Sequence, residues 1–244
     1  MDAILEVRGL TKRFEGLIAV NHLDFAVGRG EILGLIGPNG SGKTTVINMI
    51  SGTLEPSAGS VLFNGARIDR LPAFRRTRLG IGRTFQIMKP FPGLNVRDNV
   101  AMGALFGMAG TRPTLQAARD EARHWLEFAE LAGRADQRAD ALGGPDRKRL
   151  ELARALAMRP TLLLLDEVMS GLNPVEMGQV IGVIRRVREL GISILVIEHV
   201  MKVIRSLSDR LLVLRHGEKI AEGRPEEVLN DPKVVTAYLG RKRA

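Results

Sequence analysis

Residues 37–45 read Gly-Pro-Asn-Gly-Ser-Gly-Lys-Thr-Thr, which matches the pattern G-x-x-x-x-G-K-[ST] in full. Loops of this pattern wrap a phosphate chain with backbone N–H groups, and a side chain on the loop would block the phosphates. Gly37, Gly40 and Gly42 allow the close backbone approach that such binding requires. The stretch therefore predicts a phosphate-binding loop, or P-loop.

The flanking sequence supports this prediction. Residues 32–36 form a short apolar run, as a buried strand should, and residues 45–50 can open a helix whose N-terminus faces the phosphates. Lys43 can reach the β- and γ-phosphates, and the Thr44 hydroxyl can ligate Mg²⁺. The residues that we expect to contact the nucleotide in this loop are Gly37, Asn39, Gly40, Ser41, Gly42, Lys43, Thr44 and Thr45.

Composition sets the outer limits. The 244 residues are 45% hydrophobic, enough for a real core, and no apolar run approaches the roughly 20 residues of a membrane span. The first residues, Met-Asp-Ala-Ile-Leu-Glu, do not resemble a signal peptide. The absence of cysteine excludes disulfides and thiolate metal sites and is compatible with a reducing cytoplasm. The net charge of +9 could serve nucleic acid or an anionic membrane, but the cations are dispersed, which favours a generally basic surface.

The order of elements predicts three regions. Residues 3–36 and 59–68 are rich in strand signals, and Asn64-Gly65 is a strong hairpin signal. Residues 87–158 look mostly helical, and the best helix there runs from Thr114 to Leu131. Residues 161–222 alternate buried strands with a helix, as in a parallel sheet with right-handed crossovers. The apolar face of the helix from Thr114 is predicted to comprise Leu115, Ala118, Ala122, Trp125, Leu126 and Ala129.

A second chemical motif is Leu162-Leu163-Leu164-Leu165-Asp166-Glu167. A buried strand that ends in two carboxylates places them at the C-terminal edge of the sheet, where the P-loop also lies. Asp166 can hold the Mg²⁺ shell, and Glu167 is placed to polarise an attacking water. Alone, an apolar run followed by two acids is an ordinary strand end; downstream of a P-loop it is a specific signal.

Taken together, these motifs resemble the ATP-binding cassette (ABC) ATPases over essentially the whole chain. Thr84-Phe85-Gln86 sits where that family has its Q-loop, 170–174 resembles its D-loop, and Ile197-Glu198-His199 ends a strand at its switch histidine. Phe14 matches the aromatic that stacks on adenine. The resemblance implies an α/β P-loop NTPase fold of ABC type: a RecA-like core with an antiparallel β subdomain, from 1–86 and 159–244, and an α-helical subdomain at 87–158.

The resemblance also implies a role for each marker. The catalytic residues would be Glu167, His199, Lys43 and Gln86, and the metal would be held by Thr44, Gln86 and Asp166. The cofactors would be ATP and Mg²⁺. Each marker outside the P-loop also permits a plain structural role: Phe14 as a core residue, Gln86 as a strand cap, His199 as a surface residue at a helix start.

The branch of the family is indicated by longer stretches. Arg83-Thr84-Phe85-Gln86, residues 89–96, residues 149–156 and the ending 234–240 look like the ATPases of branched-chain amino acid importers. Urea and short-amide importers share much of this pattern.

One segment departs from the family. The signature Leu-Ser-Gly-Gly-Gln is replaced here by Leu142-Gly143-Gly144-Pro145-Asp146. The serine hydroxyl is missing at Gly143, and Pro145 has no N–H to give a phosphate oxygen. Pro145 suits the start of a helix, so we expect the helix to persist. Asp146 puts an acid opposite an anion, which we expect to weaken contact with ATP, with Arg147 or Lys148 as possible compensation.

By resemblance, two ATPase subunits pair head to tail, so that each ATP lies between one P-loop and the other signature. The predicted interface residues are Gly143, Gly144, Pro145, Asp146 and Asn173. The implied function is the ATPase subunit of an importer for branched-chain amino acids, peripheral on the cytoplasmic face of the membrane, bound to permease subunits and to a second ATPase subunit, identical or different. Phe91 and the residues near Leu94 are candidates for the permease contact.

Three other functions remain open at this point. One is an importer ATPase for urea or short amides. Another is a soluble ABC ATPase that acts on nucleic acid or ribosomes, which the single P-loop and the short insert between Gln86 and Asp166 disfavour; we expect no nucleic-acid partner. A third is a scaffold that does not hydrolyse ATP, which the presence of Glu167 and His199 argues against.

Overall fold

A computed structural model of the chain describes residues 2–84, 90–91, 93–107 and 113–239. The chain forms two compact units, Met1–Ala73 with Ser193–Ala244, and Phe74–Ile192.

The described residues form strands and helices throughout. The strands are β1 (Ala3–Phe14), β2 (Leu17–Gly28), β3 (Ile32–Ile36), β4 (Ala58–Phe63), β5 (Ala66–Arg67), β6 (Ile81–Arg83), β7 (Leu162–Asp166), β8 (Ser193–Ile197), β9 (Arg210–Arg215) and β10 (Glu218–Gly223). The helices are α1 (Lys43–Ser51), α2 (Ala73–Leu79), α3 (Val96–Phe106), α4 (Leu115–Phe128), α5 (Gly144–Ala157), α6 (Pro174–Glu189), α7 (Met201–Leu207), α8 (Pro225–Asn230) and α9 (Pro232–Leu239). Short 3₁₀ turns occupy Ala132–Arg134 and Ala139–Ala141.

The first unit contains an antiparallel sheet in the order β2-β1-β4-β5. Its hairpin between β4 and β5 turns at Asn64 and Gly65, whose φ angles of 50° and 75° are the positive values that a type I′ turn needs. Phe63 and Ala66 are paired across the turn. The hairpin predicted from the Asn-Gly pair is therefore confirmed.

The first unit also contains parallel strands, in which β3 pairs with β8 on one side and β9 on the other. Strand β10 returns antiparallel to β9. All five residues of β3 and of β8 are buried, which explains why both read as continuous apolar runs in the sequence. The P-loop leaves the carboxyl end of β3, the edge at which ligands bind in sheets of this kind.

The second unit pairs β6 with β7 in parallel and carries helices α3, α4 and α5, which pack on one another. Their shared core includes Val96, Val100, Leu126, Leu131 and Leu150, all at most 1% exposed. On α4 the predicted apolar face is buried at Ala118, Ala122, Leu126 and Ala129. Leu115 is an exception: it is the first residue of the helix and is 52% exposed.

In the described part of the chain, no helix is both long enough and apolar enough to cross a bilayer. The predicted division into a core of 1–86 with 159–244 and a helical subdomain of 87–158 remains a prediction.

Candidate functional site

The backbone conformation of the P-loop favours glycine at three places. Gly37, Gly40 and Gly42 have φ angles of 153°, 75° and 102°. A Cβ on Gly37 would lie 2.2 Å from the carbonyl oxygen of Leu214, and one on Gly42 would lie 2.5 Å from that of Ala19. These glycines are therefore required by the fold of the loop as well as by close approach to a phosphate.

Helix α1 begins directly after this loop, at Lys43. Its N-cap is Gly42 in the left-handed conformation, with no side-chain cap, and the first turn carries no acid. The first N–H groups of a helix have no partners within the helix, and here no carboxylate competes for them. Thr44 is exposed and Thr45 is half-buried in this first turn. Such a helix start is suited to a phosphate group.

The Lys43 ammonium lies across the loop. Its Nζ donates to the carbonyl oxygens of Gly37 at 2.8 Å and Pro38 at 3.0 Å, and the residue is 6% exposed. Within the described residues, the buried Ser41 hydroxyl has no hydrogen-bond partner. A polyphosphate would supply acceptors for both groups, since its oxygens accept from ammonium and hydroxyl donors alike. The residues present therefore fit ATP.

Phe14 is the last residue of β1, opposite Leu17 across the turn to β2. Its side chain is 43% exposed, and Lys12 Nζ lies 5.1 Å from the ring centroid. Lys12 is fixed by donating to the carbonyl oxygen of Glu55 at 2.8 Å. Because its side chain is exposed, Phe14 is not the core residue that the sequence also allowed. An exposed aromatic ring at a strand end can stack on a base.

His199 follows β8 just as the P-loop follows β3. Because Leu35 pairs with Ile197 in the parallel ladder, Gly37 and His199 both stand two residues beyond paired positions at the same sheet edge. Glu198 is buried at 2% exposed, whereas His199 is exposed before α7 begins. The structure thus brings the P-loop and His199 to one edge of the first unit.

Asp166 ends β7 in the second unit and is 2% exposed. Arg83 at the end of the neighbouring β6 donates from Nη2 to Asp166 Oδ2 at 3.2 Å. The Asp166 N–H donates to Thr84 Oγ1 at 3.4 Å, and the Thr84 N–H donates to the Leu164 carbonyl at 2.9 Å. A buried carboxylate with a fixed orientation is suited to be a ligand of Mg²⁺.

Glu167 stands next to Asp166 in a strained conformation. Its φ angle is 51°, in the left-handed region that costs an L-residue roughly 1–2 kcal/mol. The side chain is half-buried, and the Glu167 carbonyl accepts from the Ser170 N–H at 3.2 Å. Strain of this kind concentrates at functional sites. It fits the assignment of Glu167 as the general base.

Gln86, predicted to sense metal and water, lies outside the described residues, as does Phe85.

Phe91, the predicted contact with a membrane subunit, is 42% exposed. The fully buried Asn99 fixes its backbone, because Asn99 Oδ1 accepts from the Phe91 N–H at 2.8 Å. The Arg154 guanidinium lies 5.5 Å from the Phe91 ring centroid. A held aromatic with an exposed face suits the predicted contact with a membrane subunit.

The altered signature forms a helix start, as expected. Helix α5 begins at Gly144 after the extended N-cap Gly143, with Pro145 as its second residue. Pro145 removes an N–H that would have no partner within the helix, so the helix persists at no cost. Both Gly143 and Gly144 are exposed.

The structure corrects the electrostatic expectation for Asp146, which is buried at 9% exposed. Its carboxylate pairs with Arg134 Nε at 2.9 Å and with Arg149 Nη2 at 2.6 Å. Two arginines pair with this carboxylate, so Asp146 does not present a bare negative charge. Arg147 is engaged with the backbone: it donates to the carbonyl oxygens of Leu142 and Asp140, each at 2.7 Å.

Asn173 is the N-cap of α6. Its Oδ1 accepts from the N–H groups of Val175 and Glu176, and its own N–H donates to the Glu176 carboxylate at 2.8 Å, which completes a capping box. The residue is exposed. Its predicted place at a subunit interface remains a prediction.

The sequence alone assigns no site role to two charged residues of the second unit that are buried or partly buried. Arg83 is noted only as part of a branch pattern, and Glu151, which is 1% exposed on α5, has no assigned role. Arg83 pairs with Asp166, 83 positions away in the sequence. No local pattern could predict a pairing between residues so far apart in the sequence.

Two family models match the chain. One, described as ABC transporter, matches residues 20–170. The other, described as Branched-chain amino acid ATP-binding cassette transporter, matches residues 218–244.

Curated relatives match the chain end to end. It is 38% identical over 249 residues to the high-affinity branched-chain amino acid transport ATP-binding protein BraF of Pseudomonas aeruginosa, covering 97% of this chain and 98% of that protein. The same identity and coverage hold for the protein named LivG, of the same description, from Escherichia coli K12.

Solved structures show the same fold. The ADP conformation of MJ1267, an ATP-binding cassette of an ABC transporter, is 31% identical with a TM-score of 0.90, and the match covers 98% of this chain and all of that one. A dimeric structure of MJ0796, a bacterial ABC transporter cassette, is 26% identical with a TM-score of 0.82 and coverage of 91% and 98%.

Proposed function

The chain belongs to the ABC transporter ATP-binding family, and we propose that it is the ATP-hydrolysing subunit of an importer for branched-chain amino acids. Its fold is the α/β P-loop fold of ABC ATPases. The observation that carries the choice of substrate class is the match of residues 218–244 to the C-terminal segment of branched-chain amino acid cassettes, because the P-loop and Asp166-Glu167 recur in ABC ATPases of every substrate.

In this proposal the chain's own groups divide the work on ATP. The P-loop N–H groups and Lys43 hold the β- and γ-phosphates, and Phe14 stacks on the adenine. Glu167 accepts a proton from the attacking water, and His199 holds that water and the γ-phosphate. Thr44, Gln86 and Asp166 would hold Mg²⁺, which supplies charge neutralisation of the phosphates when bound.

The proposed partners are permease subunits and a second ATPase subunit. The dimeric structure of a similar cassette supports the pairing of two ATPase subunits. In the head-to-tail pair that we propose, Gly143, Gly144, Pro145, Asp146 and Asn173 would face the nucleotide of the other subunit. The exposed Phe91 would contact the permease. The chain would therefore work at the cytoplasmic face of the membrane as a peripheral subunit.

The other functions receive less support. A urea or short-amide importer shares the P-loop and the Asp166-Glu167 pair, but the matched relatives are named for branched-chain amino acids. Action on nucleic acid or ribosomes rests only on the net charge of +9.

Uptake in a strain that lacks this chain tests the proposal. We expect deletion to abolish high-affinity uptake of labelled leucine, isoleucine and valine, and the wild-type chain to restore it. Glu167→Gln should restore expression without restoring uptake, because the base is missing. Undiminished leucine uptake with lost urea uptake would instead assign the chain to the short-amide importers.

A further inference from the structure

The second unit holds four charged side chains that are buried or partly buried: Asp166, Arg83, Glu151 and Arg154. Asp166 is 2% exposed, Glu151 is 1% exposed, and the Arg83 side chain is 10% exposed. Arg154 is partly buried, and its guanidinium lies 5.5 Å from the centroid of the Phe91 ring. The proposed mechanism uses only Asp166, and buried charges are costly unless each has a partner.

Arg83 bonds one of these carboxylates directly and lies within the electrostatic reach of the other. It donates to Asp166 at 3.2 Å from the end of β6, and α5, which carries Glu151, packs against β6. Burial lowers the pKa of the Arg83 guanidinium, while the charges of Asp166 and Glu151 act in the opposite direction. Burial likewise lowers the pKa of Arg154, and the charge of Glu151 again opposes it. The charge of Glu151, which is 1% exposed, therefore acts on both arginines.

The charge of these four side chains decides how strongly Asp166 attracts a cation. With two arginines and two carboxylates the set is formally neutral, and in a buried site neighbouring charges are weakly screened. A positive charge removed from Arg83 would leave the Asp166 carboxylate more attractive to a divalent cation. A negative charge removed from Glu151 would leave Arg83 less compensated and Asp166 less attractive.

We propose that Arg83 and Glu151 are positioning residues that set the charge that the Asp166 carboxylate presents to a divalent cation. The assignment rests on the proposed role of Asp166 at the metal.

The test is a Mg²⁺ titration of the isolated chain with the non-hydrolysable analogue AMP-PNP, read as the thermal unfolding midpoint. The half-saturating Mg²⁺ concentration measures metal affinity without turnover or a permease. We expect Arg83→Met to lower it and Glu151→Gln to raise it, each by at least about threefold. Arg83→Lys, which keeps the charge, should leave it near the wild-type value.

Matched controls remove an ion pair of the same chemistry elsewhere. Arg159 pairs with Glu121 at 2.6 Å on the surface of the second unit, so Arg159→Met and Glu121→Gln should leave the half-saturating concentration unchanged. Opposite shifts in Arg83→Met and Glu151→Gln separate electrostatic tuning from loosened packing, which would move both in one direction.

Shifts in the same direction, or none, would overturn the proposal. If Arg83→Met does not fold, Glu151→Gln still decides, because an unchanged or lowered half-saturating concentration contradicts it. If AMP-PNP stabilises the wild-type chain equally with and without Mg²⁺, the proposed metal role of Asp166 fails first, and this assignment fails with it.

Discussion

At the scale of single residues, the backbone conformation explains more of the geometry of the site than the side-chain contacts do. Gly37 and Gly42 must be glycine because a Cβ at these positions would lie 2.2 and 2.5 Å from carbonyl oxygens. Glu167 has a positive φ angle, which is not the extended conformation of the strand before it. The P-loop glycines could be predicted from the sequence because their spacing is a local pattern. The strain at Glu167 could not, because it depends on how the chain leaves β7.

We expect Lys43→Ala to abolish both ATP binding and hydrolysis, because it removes the only P-loop ammonium that can reach the phosphates. Glu167→Gln keeps the shape and loses the base, so ATP should bind but persist. Equilibrium binding of a fluorescent ATP analogue and phosphate release distinguish the two variants. Hydrolysis by Glu167→Gln at the wild-type rate in the assembled transporter would show that another group is the base.

A second expectation concerns the conformation of Glu167 rather than its charge. Glycine tolerates a positive φ angle, so Glu167→Gly should be more stable than Glu167→Ala by up to about 1 kcal/mol, after the greater entropy of unfolded glycine is subtracted. Urea denaturation of the two variants without nucleotide measures the difference. Both should be inactive; a less stable glycine variant would contradict the strained backbone.

Stacking by Phe14 is tested separately. Phe14→Ala removes a side chain that is 43% exposed, so the fold should lose little, while ATP binding should weaken by about 1–3 kcal/mol, judged by base–aromatic stacking energies. Phe14→Tyr is the matched control and should bind like the wild type. Unchanged ATP affinity in a folded Phe14→Ala chain would exclude the ring from the site.

At the scale of elements, local sequence patterns predict the elements correctly, whereas pairings between distant parts of the chain are not predicted. The Asn64-Gly65 hairpin, α4 and α6 follow patterns contained within a few residues. Strand β6 has only three residues, too few to show a period, and its pairing with β7 joins positions about 80 apart in sequence. Leu115 shares the apolar period of α4 but is the first residue of the helix and is 52% exposed.

Arg210 on β9 ties several elements of the first unit together. Its guanidinium pairs with Glu31 at 2.7 Å, bonds Glu222 on β10, and donates to the Ala26 carbonyl of β2 at 2.6 Å. Because the carboxylates are only partly exposed, we expect Arg210→Met to lower the free energy of unfolding by about 2–4 kcal/mol near neutral pH. Urea denaturation checks this value.

The pH dependence of this loss has a definite sign. Burial would raise the pKa of Glu31, but hydrogen bonds from Arg210 and the Gly28 N–H and the charge of Arg210 outweigh it and lower the pKa below its ordinary value. The stabilisation is therefore complete above that ordinary value and is lost as the pH falls through the pKa in the folded chain. The gap between wild type and Arg210→Met should shrink in acid; a gap that is constant down to about pH 3 would contradict this role of Glu31.

At the scale of the whole molecule, each of the two compact units contains residues with a proposed role. The P-loop, Phe14 and His199 belong to the first, and Asp166, Glu167 and the altered signature belong to the second. The proposed cycle also needs a second subunit, because a signature serves the nucleotide of its partner. This chain has an intact P-loop site and a signature without serine, so the two contributions are unequal.

We therefore expect the chain to hydrolyse ATP slowly alone and faster beside a different ATPase subunit with a complete signature. In a homodimer both sites would lack the hydroxyl at Gly143 and the N–H at Pro145, and charged hydrogen bonds are worth about 1.5–3 kcal/mol each.

The structure indicates which substitutions would restore the signature. A Cβ on Gly143 meets no atom within 4 Å, and its φ angle of −68° suits serine, so Gly143→Ser with Pro145→Gly should fold and raise the rate of the isolated chain by about tenfold or more. Asp146 is left in place because Asp146→Gln would unpair Arg134 and Arg149, and that variant serves as the control that should not improve the rate. Brisk hydrolysis by the unmodified chain, unaffected by the repair, would show that Gly143–Asp146 already supplies the contacts of a complete signature.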